Sequence, residues 1–225
     1  MNDSNFISSL VLVLVGGTAL LDILSELLNS KNTDPELPAE FVGIYDPAKY
    51  RTSLQYQREN ARFEVLRKII LTPMILAFVL LGGFNAVDQA ARILDQGQIV
   101  TGLLFIGTLV ALRSVVQLPF TLYDTFVLEE KYGFNKTTLK TFVTDLLKGT
   151  IVGIVICAPI LAGLIYFFES TGERAWLYSW LALTAFQLLL VFLAPVVLMP
   201  LFNRFSPLSE GPLKQAIEAY AQTQN

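Results

Sequence analysis

The sequence predicts an all-α, polytopic integral membrane protein: a helical bundle of about five transmembrane helices, with amphipathic helices on its cytoplasmic side. Three observations predict it. The 225 residues are 53% hydrophobic and only 16% charged, against about 25% charged in soluble proteins. Five stretches, roughly 6–28, 66–84, 99–123, 147–168 and 176–202, are apolar over close to the 20 or so residues that cross a bilayer. The cations between those stretches are sorted by side. Lys31, Lys49, Arg51, Arg58, Arg62, Arg67, Lys68, Lys131, Lys136, Lys140, Lys148, Arg204 and Lys214 fall on one side, and only Arg92 and Arg174 on the other. Cytoplasmic loops carry the excess of Lys and Arg. The N-terminus is therefore expected outside and the C-terminus in the cytoplasm.

The first span ends in Asp22-Ile23-Leu24-Ser25-Glu26, and a polar connection with Pro35 and Pro38 follows. Asp46-Pro47 reads as an N-cap followed by a first-turn proline. Neither Gly nor Pro interrupts 48–72, which predicts one long helix that starts in water and runs into the second span, with Pro73 kinking it. The connection 85–98 is short and holds one cation, Arg92. The third span carries Arg113, Gln117 and Pro119. The fourth contains Gly149-xxx-Gly153 and Pro159, and a tight turn, 169–175, leads to the fifth, which contains Gln187, Pro195 and Pro200. Trp176, Tyr178 and Trp180 suit an aromatic belt at its outer end. The tail ends in an amphipathic piece from Gly211. The spans show no internal repeat, which weighs against an inverted-repeat transporter.

The most specific stretch is 117–149. It leaves the apolar run at Tyr123-Asp124, groups Glu129, Glu130 and Lys131, and turns at Gly133. Glycine at C′ accepts a positive φ, and Phe134 after it supplies the hydrophobic contact of a Schellman cap. Asn135, Thr137 and Thr138 are all N-cap types for the next helix. There, Leu139, Phe142, Val143, Leu146 and Leu147 form an apolar stripe opposite Lys136, Lys140, Thr144 and Lys148. Such a helix lies on a membrane surface or against other helices.

Composition also excludes chemistry. The count of histidines is zero, so these residues hold no histidine zinc site, no Ser-His triad and no histidine acid–base pair. Cys157 alone makes no disulfide framework. A net charge of −3, without basic patches interleaved with aromatics, gives no reason to expect nucleic acid. Met1-Asn2-Asp3 lacks the basic start of a cleavable signal. No phosphate loop, nucleophile elbow or carboxylate metal cage is visible.

The candidate chamber or structural polar residues are Asp22, Glu26, Arg113, Gln117, Tyr123, Glu129, Glu130 and Asn135. Arg113 lies inside a span, where a charge faces protein or water. Either Asp22 or Glu26 pairs with it, or all three line a wet cavity, or Arg113 snorkels to the inner interface. Glu129 and Glu130 are a carboxylate pair of the kind acid–base chemistry uses. A solvated cap or ion pair is the commoner use of such a cluster. Gly149-xxx-Gly153 is a weak helix-contact signal.

The stretch LPFTLYDTFVLEEKYGFNKTTLKTFVTDLLKG resembles a segment of the CAAX prenyl proteases, membrane-integral zinc metalloendopeptidases with a chambered helical fold. Tyr50-Arg51-Thr52-Ser53 through Arg62-Phe63 agrees in order, as does Pro200-Leu201-Phe202-Asn203-Arg204-Phe205-Ser206-Pro207-Leu208. The resemblance implies the N-terminal five-helix membrane domain over 1–225, whose helices wall a chamber. It implies as partners the bilayer, a lipidated or membrane-associated peptide, and a C-terminal protease domain. The family's zinc is held by His-Glu-x-x-His and a further Glu on later helices. With no histidine, this chain is expected to bind no cofactor and to be inactive on its own, either as a truncated piece or as a stand-alone product. The expected location is the inner membrane of a bacterium or the endoplasmic reticulum of a eukaryote. The rival reading is a non-enzymatic membrane module, a scaffold or transporter subunit, with Asp22, Arg113 and Gln187 marking a permeation path.

Overall fold

A computed structural model describes residues 3–31, 46–203 and 205–223, apart from the side chains of 3–8, 30 and 31. The connection with Pro35 and Pro38, and Arg204, lie outside the described residues. Among the described residues every regular element is helical. The chain divides into two compact units, 1–165 and 166–225.

In the first unit, α1 (Asp3–Lys31) packs along α2 (Pro47–Leu80). The start of α2 is set locally. Asp46 has extended dihedrals, and its Oδ1 accepts from the Ala48 N–H at 2.8 Å. Pro47 fills a position whose N–H would have no helical partner. At 34 residues and 1.5 Å per residue, α2 is about 51 Å long, more than the roughly 30 Å hydrocarbon core. Its length leaves room for the charged first half to lie outside the hydrocarbon core.

A sharp bend follows beyond Pro73, the expected kink. α2 is one helix across Pro73, and the bend of 60° comes at Leu81-Gly82, between α2 and α3 (Gly83–Arg92). Gly82 has φ +73°, and a Cβ on Gly83 would lie 2.4 Å from the Phe78 ring. Both positions therefore require glycine. Phe78 and Phe84 meet edge to face across the corner at 5.1 Å. The stretch expected to be a short connection is thus largely helical. Val87 and Ala91 on its inner face are buried, and Asp88 pairs with Arg92 at 2.8 Å.

α4 (Gly97–Tyr123) passes into a π-helical turn, Asp124–Glu129. The next helix, α5, runs from Leu139 to Ser170. The amphipathic piece at 139–148 is therefore the first turns of the fourth span, continuous with it. A Cβ on Gly149 or Gly153 would meet nothing within 4 Å, so that small-residue pair is not a close helix contact here.

In the second unit, a turn at Gly172–Arg174 leads to α6 (Ala175–Leu193). A second π-helical turn, Ala194–Leu198, holds Pro195, and α7 (Met199–Phe202) and α8 (Pro212–Thr223) follow. Trp176, Tyr178 and Trp180 are exposed, as a headgroup belt requires. In α8, Lys214 pairs with both Glu210 and Glu218.

Four helical stretches are long and apolar enough to cross a membrane: Ser9–Asn29, Gly97–Glu129, Leu139–Ser170 and Gly172–Phe202. The bent pair α2–α3 makes five if it counts as one span. α4 and α5 bury no residue and expose large apolar side chains. Helices hydrophobic all round suit lipid, not water.

Candidate functional site

The most organised cluster lies where the polar half of α2 meets the end of α4. On α2, Tyr56, Glu59 and Phe63 are spaced at i, i+3 and i+7, one stripe of a helix. On the other side the chain offers Phe120, Tyr123, Leu128, Lys131, Tyr132 and Phe134. Phe63, 8% exposed, stacks on Tyr123 with centroids 4.9 Å apart and also meets Phe120 at 6.4 Å. Tyr56 takes Tyr132 and Phe134 edge to face at 5.2 and 4.9 Å. Leu128 is buried. Between the two aromatic groups, the Lys131 ammonium donates to both Glu59 carboxylate oxygens, at 2.6 and 2.7 Å.

The π turn makes this possible. Eight positions separate Tyr123 from Lys131, and at 3.6 residues per turn they would diverge by about 80° around an unbroken α-helix. A π turn takes up an extra residue, and both side chains reach α2. The helix then ends in a Schellman cap, as its glycine predicts. Gly133 has φ +75°, its N–H donates to Glu130 O at 3.1 Å, and Phe134 N–H donates to Glu129 O at 2.9 Å. The apolar partner of Phe134 is Tyr56 on α2, so the cap docks onto the neighbouring helix.

Asn135 fixes the exit. Its Oδ1 accepts from Thr137 N–H at 2.6 Å, and its Nδ2 donates to Glu130 Oε2 at 2.9 Å. Of the three N-cap candidates Thr138 serves: its Oγ1 accepts from Thr141 N–H at 3.2 Å. Phe126 and Phe142 pack edge to face at 5.6 Å across the loop.

The charged groups follow from these contacts. Hydrogen bonding from Lys131, with a further contribution from Tyr132, holds the Glu59 carboxyl below its ordinary range. The same bond to Glu59 raises the Lys131 ammonium. Desolvation first, then the hydrogen bond to Glu59, raises the Tyr132 phenol. The Glu59 and Lys131 shifts favour the ion pair, the Tyr132 shift keeps its phenol neutral, and none of the three creates a group poised for proton transfer near neutrality.

The sequence-derived candidates separate accordingly. Tyr123, Glu129, Glu130 and Asn135 come together as packing and capping groups. The expected link from Asp22 or Glu26 to Arg113 is not formed. Asp22 meets Lys68 of α2 at 3.4 Å, and α2 is the helix against which α1 packs. Glu26 lines a polar hollow of about 230 Å³ with Asn29, Tyr56 and Asn60. Arg113 is exposed on α4, and the Gln117 carbonyl accepts from the Thr121 hydroxyl at 3.3 Å. Glu59 and Phe63 were missed as site residues. Phe63 was marked only as part of the Arg62-Phe63 resemblance, and nothing local gives either residue its role, because their partners, Lys131 and Tyr123, lie far along the chain.

An open groove of about 590 Å³ runs beside the cluster. Phe63 and Leu66 of α2 and Pro119, Phe120 and Tyr123 of α4 form its apolar part. Glu59 and Arg62 stand toward the water-facing end of α2.

Long apolar helices, an aromatic belt and a charged cluster at one end of two spans define a polytopic α-helical membrane protein. Comparison with known proteins narrows this. Residues 26–204 match the family described as CAAX prenyl protease N-terminal, five membrane helices, and the chain belongs to the CAAX prenyl protease family. It is 31% identical over 196 residues to the CAAX prenyl protease 1 homolog of Arabidopsis thaliana, covering 84% of this chain and 46% of the relative. It is 33% identical over 204 residues to the probable CAAX prenyl protease 1 of Schizosaccharomyces pombe, covering 85% of this chain and 42% of the relative. The crystal structure of S. mikatae Ste24p superposes with a TM-score of 0.88 at 28% identity, over 97% of this chain and 53% of that one. The chain thus spans less than half the length of these curated relatives.

Among the described residues, no side chains are grouped to fit a zinc site. The 225 residues contain no histidine, and Cys157 is exposed on α5. Among the described residues no three His, Cys, Asp or Glu side chains converge.

Proposed function

We propose that this chain is the membrane housing of a zinc metalloendopeptidase that cleaves lipidated or membrane-associated peptides. Its helices wall the chamber in which the peptide is held, and the zinc-binding residues belong to sequence outside these 225 residues. The observation that supports this most is the extent of the likeness to Ste24p, which runs over 97% of the chain. Tyr123, Glu129, Glu130 and Asn135 have structural roles in this reading, since their contacts are stacking and capping contacts. Arg113 and Gln117 are assigned to the chamber side of α4. The cation bias supports a cytoplasmic position for the α2–π-turn cluster.

A chimera tests the reading. This chain, joined to the downstream half of the S. pombe relative, is expected to insert in membranes and cleave a farnesylated CAAX peptide. A chimera that inserts and folds but gives no turnover contradicts it. The chain alone is expected to hold no stoichiometric zinc and to cleave nothing.

A further inference from the structure

The groove between α2 and α4 joins two environments. Its Leu66, Pro119 and Phe120 end lies where the predicted second and third spans meet the inner boundary of the bilayer. Its Glu59 and Arg62 end lies on the part of α2 that extends into water. The volume, about 590 Å³, falls within the roughly 300–1,000 Å³ of small-molecule sites. Leu66 is 52% exposed and Tyr123 47% exposed, so the apolar part is open on one side.

The charges at the wet end are unequal. Glu59 is hydrogen-bonded at both oxygens by Lys131, and the Arg62 charge acts on it only through space. Arg67 is paired with Glu64 at 2.9 Å and Lys68 with Asp22 at 3.4 Å. Arg62 lies near these pairs, is exposed and lines the groove, and among the described residues it has no carboxylate within ion-pair distance. An exposed guanidinium above an apolar channel open to the bilayer complements an amphiphile with an anionic head. Its planar fork suits a phosphate in particular.

We propose that this groove binds one acidic phospholipid of the cytoplasmic leaflet, its phosphate on Arg62 and an acyl chain along Phe63, Leu66 and Phe120. The site rests on the proposed orientation, which puts this end of α2 in the cytoplasm, and at Phe120 it shares the face of α4 that carries Arg113 and Gln117.

Native mass spectrometry of the chain purified in detergent, titrated with phosphatidylglycerol, tests it. One phosphatidylglycerol is expected to remain bound preferentially over phosphatidylcholine. R62A is expected to lower retention about five-fold, the effect of one cation at a membrane surface. R67A, which removes a neighbouring cation outside the groove, is expected to leave it unchanged. Equal losses in R62A and R67A would show general attraction to a basic face and overturn the site. Inorganic phosphate displacing the lipid at equal concentration would overturn the phospholipid as ligand, and so would preferential displacement by a farnesylated peptide. A thermal melt of each variant without lipid confirms that R62A is folded. A folded R62A that retains lipid like the parent protein also overturns the site.

Discussion

Lys131 and Glu59 are 72 positions apart, yet the Lys131 ammonium donates to both oxygens of the Glu59 carboxylate, at 2.6 and 2.7 Å. This pair ties the end of the π turn to the water-facing half of α2. Both side chains are partly exposed, and such pairs add modestly to stability. Its main effect is to fix how α4 leaves the bilayer. E59Q and K131M are each expected to lower the melting temperature in detergent slightly, and the double variant no further than the worse single one. Additive losses would mean that the two groups are not coupled.

The pair also predicts a pH dependence. The Glu59 carboxyl is held below its ordinary value, so its contribution is complete above the unfolded value of about 4.3. It is lost as pH falls through the lower folded value. The difference in melting temperature between the parent protein and E59Q is therefore expected to be full at neutral pH. It should shrink only in the acid range, below the ordinary carboxylate pKa. A difference that persists undiminished in strong acid contradicts the assignment.

Phe63 is the packing centre of the cluster, buried and stacked on Tyr123. Truncating a buried Phe costs about 3–5 kcal/mol in soluble cores. F63A is expected at the low end, because the groove already leaves one side of the ring without partners. F63L is expected to recover most of the loss. Chemical denaturation in mixed micelles measures both.

Gly133 is required by its conformation and not by space. Its φ is +75°, and an added Cβ would meet nothing within 4 Å. G133A is expected to cost about 1–2 kcal/mol, the penalty of the left-handed region for a residue with a Cβ. G133N is expected to cost less, since Asn tolerates that region. Equal costs would point to a lost contact in place of backbone strain.

Deleting Val127, which is 48% exposed, removes one residue from the π turn. The turn then relaxes toward α geometry and Lys131 rotates away from Glu59. A cysteine cross-link between positions 59 and 131 is expected to form without the deletion and to fail with it. Cross-linking of equal yield in both would show that the π turn does not set the alignment.

What was legible in the sequence was local. Asp46-Pro47 caps α2 and Gly133-Phe134 closes a Schellman motif because each depends on neighbours within a turn or two. The spans were legible because lipid demands long apolar runs. The bend at Gly82 was not, because Pro73 is the stronger sequence signal and the corner instead depends on Phe78 lying over Gly83. The π turn leaves no mark in hydropathy. The sequence left the partner of Asp22 open; α1 packs on α2, and that choice of neighbour brings Lys68 within reach. Glu59, Phe63 and the groove required knowing which two helices meet.

The most direct test of the bundle and its orientation is substituted-cysteine labelling in sealed membrane vesicles of known sidedness. In a C157S background, K49C and K140C are each challenged with an impermeant maleimide. Both are predicted to react from the same, cytoplasmic, face. Reaction of the two from opposite faces would contradict the account.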